Sequence, residues 1–148
     1  MSLQDWERNG WVEKHKTSPQ EIEELFQIAD RDLKDCQARD LSDDWQLNIA
    51  YNAALQSAKA ALAAAGYRAS REAQHFRIIQ SLAFTLRLEK SLIDKLDKFR
   101  KKRNISDYER AGLVSESEVK EAIDLTYQLR KQAEEWIRTN HSHLLRKK

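Results

Sequence analysis

The chain contains 148 residues, of which 41% are hydrophobic and 34% are charged. This balance is too apolar for a disordered tail and is typical of a single domain with solvated helices. The three glycines and one proline are too few for an all-β sandwich or barrel, because such folds need a turn roughly every 8–12 residues. The single cysteine excludes an internal disulfide and a cysteine-based zinc site.

Several functional classes lack their sequence signatures. The chain contains no glycine-rich phosphate loop and no histidine pair at the spacing of a zinc protease. The first twenty residues contain no apolar core of a signal peptide. Residues 45–67, the longest nearly uncharged run, carry polar side chains at helical spacing, which indicates a buried amphipathic helix and not a membrane span. We therefore expect a cytoplasmic protein that does not enter a membrane and uses no metal or other cofactor.

The net charge of +2 is distributed unevenly along the chain. Residues 1–44 carry a net charge of −6, whereas residues 87–103 contain eight basic and three acidic side chains, a net +5. The basic block is compatible with local phosphate binding. It is equally compatible with a solvated helix end whose cations complement the helix dipole. Charge alone leaves both interpretations open.

Capping residues and apolar periods predict the first two of five helices. The first begins after Ser18, which forms a capping box with Glu21, and ends near Arg39. The second begins after Ser42 and ends before Gly66, because glycine readily adopts the left-handed conformation that ends a helix. The alanine-rich run at residues 60–65 of this helix allows a neighbouring helix to approach closely.

The remaining three helices are predicted from weaker start and end signals. The third begins around Ser70 and the fourth around Leu88, and the break between them is inferred from the apolar period alone. Asn104 is a candidate for the left-handed residue that ends the fourth helix. The fifth helix begins after Ser115, in a second capping box, and residues 139–148 have no period and are expected to fray.

These elements predict one all-α domain. Five helices with short connections form an antiparallel up-and-down bundle. We assign residues 1–17 to an N-terminal extension, residues 18–138 to the bundle and residues 139–148 to a basic C-terminal tail. No second domain and no internal repeat is expected.

The most informative segment for function, residues 99–108, reads FRKKRNISDY. Arg100 and Arg103 lie one helical turn apart, and two planar guanidinium groups at that spacing suit a bound phosphate. Asp107 would hold one of these arginines, and Tyr108 would stack on a ligand or donate a hydrogen bond to it. The alternative is structural, because cations stabilise a helix C-terminus and Asn104 suits a helix end.

The histidines, tryptophans and cysteine give weaker signals. His75 is equally compatible with a packing residue and with a polar pocket, whereas His141 and His143 form at best a weak chelating pair in the tail. Cys36 has no activating neighbour, and we expect it to be unreactive. The four tryptophans are expected to anchor the core or an interface: Trp6, Trp11, Trp45 and Trp136.

The order of these features resembles the HEPN superfamily over about residues 20–138. The features that carry the resemblance are residues 45–54, residues 66–68, His75, residues 103–108 and the helical run at residues 115–137. The resemblance implies an all-α bundle that forms a homodimer with a polar cleft. Many members are metal-independent endoribonucleases with an Arg-x(4–6)-His motif, and some are toxins paired with a nucleotidyltransferase. Others have lost catalysis and bind RNA, nucleotides or proteins.

The motif of this chain departs from the catalytic pattern. Arg103 matches the arginine, Asn104 matches the polar residue that follows it, and Tyr108 stands in place of the histidine, which gives Arg-x4-Tyr. An ordinary tyrosine has a pKa near 10, against about 6.5 for histidine, so Tyr108 is a poor general base at neutral pH.

Three hypotheses follow. The first is a dimeric HEPN-type domain in a toxin–antitoxin or defence system, with a nucleotidyltransferase as a candidate partner. It would bind RNA or a nucleotide with little or no catalysis, and its cleft is lined by Arg100, Arg103, Asn104, Asp107 and Tyr108. The second is an active endoribonuclease in which His75 supplies the missing imidazole beside Arg103. The third is a protein-interaction module with no role in nucleic-acid binding.

Overall fold

A computed structural model describes residues 1–106 and 114–145, with side chains given for all of these except 104–106. Within these ranges the chain forms six α-helices and one two-stranded sheet, and the predicted all-α bundle is confirmed. In chain order the elements are α1 (Leu3–Arg8), β1 (Val12–Lys14), α2 (Pro19–Asp35), α3 (Asp43–Ala64), β2 (Tyr67–Ala69), α4 (Gln74–Gln80), α5 (Lys90–Ser106) and α6 (Glu116–Asn140). None of the helices in the described ranges is both long and apolar enough to cross a membrane.

Helix α2 begins as the sequence predicts and ends earlier than expected. The Ser18 side chain accepts a hydrogen bond from the backbone N–H of Glu21 over 3.2 Å. The Glu21 carboxylate contacts His15 instead of closing the capping box. The helix ends at Asp35 and not near Arg39, so the predicted end was about one turn too late.

Helix α3 is the centre of the bundle. It begins after Ser42, which caps the backbone N–H of Trp45, and it ends before Gly66, which has a φ of +95° as predicted. Its alanines pack against α2 and α6, since Ala60, Ala63 and Ala64 share a buried cluster with residues of both helices. Small side chains at these positions bring the three helix backbones close together.

Interhelical contacts give the direction of the helices. The hydroxyl of Thr126 in α6 lies 3.4 Å from the carbonyl oxygen of Ala50 in α3, and the later residue Ala133 of α6 shares a buried cluster with the later residue Ala60 of α3. Helices α3 and α6 are therefore parallel. Helix α5 runs antiparallel to α6, because Lys95 binds Glu121 and Lys102 binds Glu118.

The N-terminal 17 residues contain structure that the sequence did not indicate. Strand β1 pairs antiparallel with β2, with Val12 opposite Ala69. Trp6 of α1 is buried and makes edge contacts with Trp11 and Phe84. These strands were missed because three residues are too few to display an alternating period.

The predicted third helix is shorter than expected. Helix α4 covers only Gln74–Gln80 and continues into a 3₁₀ turn at Ser81–Ala83. Two non-glycine residues have a positive φ: Ala73, directly before α4, with φ +54°, and Arg87, between the 3₁₀ turn and α5, with φ +52°. The helices are interrupted at these two residues, although no glycine or proline stands there.

Two expectations about the later part of the chain were wrong. Helix α5 continues to Ser106, so Asn104 lies inside the helix and does not end it. Helix α6 continues to Asn140, and a 3₁₀ turn then buries Leu144, so residues 139–145 are not frayed. Trp45 is 60% exposed, so it does not anchor the core, and its role as an interface anchor stays a prediction.

Candidate functional site

Helices α3, α4 and α5 bring four polar side chains together. The ring centroids of Tyr51 in α3 and His75 in α4 are 6.4 Å apart. The guanidinium carbon of Arg103 in α5 lies 5.5 Å from the Tyr51 ring centroid, and Arg100 precedes it by one turn. We refer to Tyr51, His75, Arg100 and Arg103 as the arginine site. The structure thus joins His75 to the two arginines that the sequence singled out.

Arg100 is positioned by two neighbours. Its Nε donates a hydrogen bond to Oδ1 of Asp97 over 2.7 Å, and its guanidinium carbon lies 5.5 Å from the Phe76 ring centroid. Asp97 also lies 3.4 Å from Nζ of the exposed Lys101. The sequence analysis predicted that Asp107 holds an arginine in place. In the described part of the chain, Asp97 binds and positions Arg100.

Positive charge surrounds His75. Partial burial lowers the pKa of this imidazole, and the charges of Arg103, Arg100 and Lys59 lower it further. His75 is therefore mainly neutral at neutral pH, since its pKa lies below the ordinary value of 6.5. A neutral imidazole accepts a proton or donates a neutral hydrogen bond, so His75 adds no cation to the site.

Tyr51 forms the buried part of the site. The residue is 2% exposed, and its hydroxyl has no hydrogen-bond partner among the described residues. Burial raises the pKa of Tyr51 to about 12, although Arg100 and Arg103 oppose the rise. The phenol remains protonated over the whole physiological pH range and is available as a donor.

Sequence analysis overlooked the polar face of α3 that meets this site. Asp44, Asn48, Tyr51 and Lys59 lie at helical spacing along one side of the helix. Tyr51 falls within residues 45–54, which carry the family resemblance, but no role in the site was predicted for it. The signal that would have found it is the row of polar residues spaced by three and four around it.

The basic block at the end of α5 divides between two roles. Lys102 forms an ion pair with Glu118 of α6, and this pairing lowers the pKa of the Glu118 carboxyl. Glu118 also accepts a hydrogen bond from the Ser115 backbone in the predicted capping box. Lys102 therefore joins α5 to α6, whereas Arg100 and Arg103 face α3 and α4.

Some predicted residues cannot be placed in the site. Asn104 belongs to α5 by its backbone, and its side chain is outside the description. The predictions for Asp107 and Tyr108 lie outside the described residues. The roles given to these three residues remain predictions.

The other singled-out groups lie away from the arginine site. Cys36 is buried, and burial raises the pKa of its thiol to about 11, in agreement with an unreactive cysteine. His141 packs on Trp136, with 5.1 Å between ring centroids. Across residues 1–106 and 114–145, no three His, Cys, Asp or Glu side chains are grouped to hold a metal ion.

A sequence model of the HEPN domain matches residues 22–136, most of the chain. The chain belongs to the HEPN domain family. The match includes all of α3, α4 and α5 and therefore the whole arginine site. No curated protein matches the chain. HEPN membership assigns the chain to RNA-related or nuclease-like domains, while the Arg-x4-Tyr form of the motif remains a prediction from the sequence.

Proposed function

We propose that this HEPN domain binds a phosphate group of RNA or of a nucleotide at the arginine site. The observation that carries the proposal is the meeting of Arg100 and Arg103 with a buried tyrosine and a neutral histidine. Arginine suits this role because its planar donors match two phosphate oxygens at once.

The electrostatics of the site support an anionic ligand. Burial lowers the pKa of His75 most, and the positive charges of Arg103, Arg100 and Lys59 lower it further, so these three cations act on the position of the imidazole. The side chain of Arg100 is only 19% exposed, so solvent screens its charge less than that of a surface arginine. Asp97 offsets part of this charge but also fixes the direction of the Arg100 guanidinium.

The wider context of the proposal derives from the family resemblance. We propose a homodimer in a cytoplasmic toxin–antitoxin or defence system, with a nucleotidyltransferase as a candidate partner and little or no catalysis by the domain itself. Light scattering of the purified protein tests the dimer, since a monomeric mass would contradict it.

A binding titration of the Arg103→Ala variant tests the proposed function. A labelled single-stranded oligoribonucleotide and AMP serve as probes, and Arg68→Ala provides a matched control, because Arg68 is an exposed arginine in β2 paired with Glu13. We expect Arg103→Ala to lose affinity and Arg68→Ala to retain it. Affinity should also decrease steeply with salt concentration, because phosphate contacts release counterions. Unchanged binding by Arg103→Ala would reject the site, whereas no binding of either probe by the wild-type protein would favour the protein-interaction module.

A second candidate function is metal-independent RNA cleavage by Arg103 and His75. The observation that favours it is the neutral state of His75 beside two arginines. In this reaction His75 accepts the proton of the ribose 2′-hydroxyl, and the 2′-oxygen forms a bond to phosphorus. The bond from phosphorus to the 5′-oxygen breaks, that oxygen takes up a proton, and a 2′,3′-cyclic phosphate remains. Arg103 stabilises the negative charge that develops on the phosphate oxygens.

Cleavage assays in EDTA separate the two candidates. If the domain is a ribonuclease, the wild-type protein cleaves RNA, His75→Ala is inactive, and His143→Ala retains activity because His143 is an exposed residue away from the site. Intact RNA after incubation with the folded wild-type protein would contradict the second candidate and leave the binding function.

A further inference from the structure

The Tyr51 hydroxyl is a buried donor without a described acceptor. Tyr51 is 2% exposed, its hydroxyl oxygen is closed to solvent, and it forms no hydrogen bond within the described residues. Buried hydroxyl groups nearly always have a partner, because an unpaired one destabilises the folded state. A phenylalanine would fill the same position in the apolar cluster around α3 without this cost. The hydroxyl therefore requires an explanation beyond packing.

We propose that Tyr51 is a ligand-binding residue whose hydroxyl donates a hydrogen bond to an oxygen of the phosphate group bound by Arg100 and Arg103. This inference rests on the proposed function and names a third contact in the same site. It also implies that the part of the ligand that contacts the buried Tyr51 is the phosphate group, and not the base or the sugar.

The surroundings of Tyr51 favour an anionic acceptor. The Arg103 guanidinium lies over the tyrosine ring, and the charges of both arginines act on the phenol. Because the pKa of Tyr51 is about 12, the group donates a hydrogen bond and does not carry a competing negative charge. A hydrogen bond from a neutral donor to a charged acceptor is also stronger than one between two neutral groups.

Ligand binding has to uncover the hydroxyl. The Arg103 guanidinium lies over the Tyr51 ring, so a phosphate group that binds Arg103 is held close to the phenol. We expect the site to rearrange on binding so that a phosphate oxygen reaches the hydroxyl. The ligand thus provides the acceptor that the free protein lacks.

The test compares Tyr51→Phe with Tyr127→Phe in the full chain. The second variant is a matched control because Tyr127 is an exposed tyrosine of α6 whose hydroxyl is bonded to Gln37 over 2.9 Å, away from the arginine site. Inorganic phosphate, AMP and a single-stranded oligoribonucleotide are titrated separately, and thermal melting checks that each variant is folded. The three probes distinguish a site for any phosphate from one that needs a nucleotide or an RNA strand.

We expect Tyr51→Phe to bind the phosphate probes about tenfold more weakly, the effect of one lost hydrogen bond to a charged group. Tyr127→Phe should bind like the wild type. As a second measurement, the Tyr51 ¹³Cζ resonance of tyrosine-labelled wild-type protein should shift on addition of any phosphate probe that binds. Wild-type affinity in Tyr51→Phe together with lost affinity in Arg103→Ala would overturn the inference and leave the proposed function intact. Wild-type affinity in both variants would overturn the proposed function itself.

Discussion

The guanidinium carbon of Arg103 lies 5.5 Å from the centroid of the buried Tyr51 ring. This contact joins the end of α5 to the middle of α3 and holds a cation above the face of an aromatic ring. The pKa of His75 is lowered by burial and further by the same arginine, so one side chain influences both other helices of the site.

His75 should make the stability of the protein depend on pH. Its folded-state pKa lies below the unfolded value near 6.5, so the unfolded chain binds the proton more tightly. The stabilising contribution is therefore present above that value and is lost as the pH falls. Urea unfolding between about pH 7.5 and pH 5 should show a smaller loss of stability in His75→Gln than in the wild type. His143→Gln is the control, and an equal loss in His75→Gln and the wild type would contradict the assignment.

The Tyr51→Phe variant should be at least as stable as the wild type in the absence of ligand. The substitution removes an unpaired buried hydroxyl and keeps the ring beneath Arg103. We expect a gain of about 1 kcal/mol in the free energy of unfolding, measured by urea denaturation. A loss of comparable size would mean that the hydroxyl has a partner in the free protein. Tyr127→Phe should change the stability little, because its hydrogen bond is exposed.

Ala73→Gly should stabilise the chain. Ala73 precedes α4 with a φ of +54°, a left-handed conformation that costs a residue with a side chain about 1–2 kcal/mol. Glycine avoids this cost but has a more flexible unfolded state, which leaves a net gain of about 0.5–1 kcal/mol. Ala83→Gly, in the 3₁₀ turn after α4, should instead destabilise the protein by a similar amount. Chemical denaturation of both variants measures the difference, and equal effects would contradict the backbone assignment.

Ala133→Leu should destabilise the bundle. Ala133 is fully buried in the cluster that joins α2, α3 and α6, which also contains the small side chains of Ala60 and Ala64. A larger side chain there forces the helices apart at a cost of about 1–3 kcal/mol. Lys131→Leu, at an exposed position of the same helix, should change the free energy of unfolding far less. An Ala133→Leu variant with the same free energy of unfolding as the wild type would mean that the helices are not closely packed at this level.

The starts of α2, α3 and α6 were predicted well because their signals are local. The side chains of Ser18, Ser42 and Ser115 each cap a backbone N–H three residues later. The two strands and the left-handed backbone of Ala73 were missed because these residues show no distinctive sequence pattern, whereas the break near Arg87 was inferred from the apolar period. Local physics therefore predicted where helices begin better than where they end.

The candidate site was predicted in part for a similar reason. Arg100 and Arg103 belong to one short basic segment, whereas His75 and Tyr51 reach the site from other helices. A single sequence contains no direct measure of which helix faces meet. Tyr51 was not predicted as a site residue, because a tyrosine ring packs in an apolar core as well as a phenylalanine ring does.

The most direct test of the central claim is an NMR titration of the ¹⁵N-labelled protein with AMP and with a short single-stranded oligoribonucleotide. Binding at the arginine site predicts that the largest shift changes fall on the backbone amides of Tyr51, His75, Arg100 and Arg103 and their neighbours. The open groove between α5 and α6, lined by Leu92, Gln128 and Trp136, offers an internal comparison. Changes concentrated in that groove, or no changes with either probe, would contradict the account.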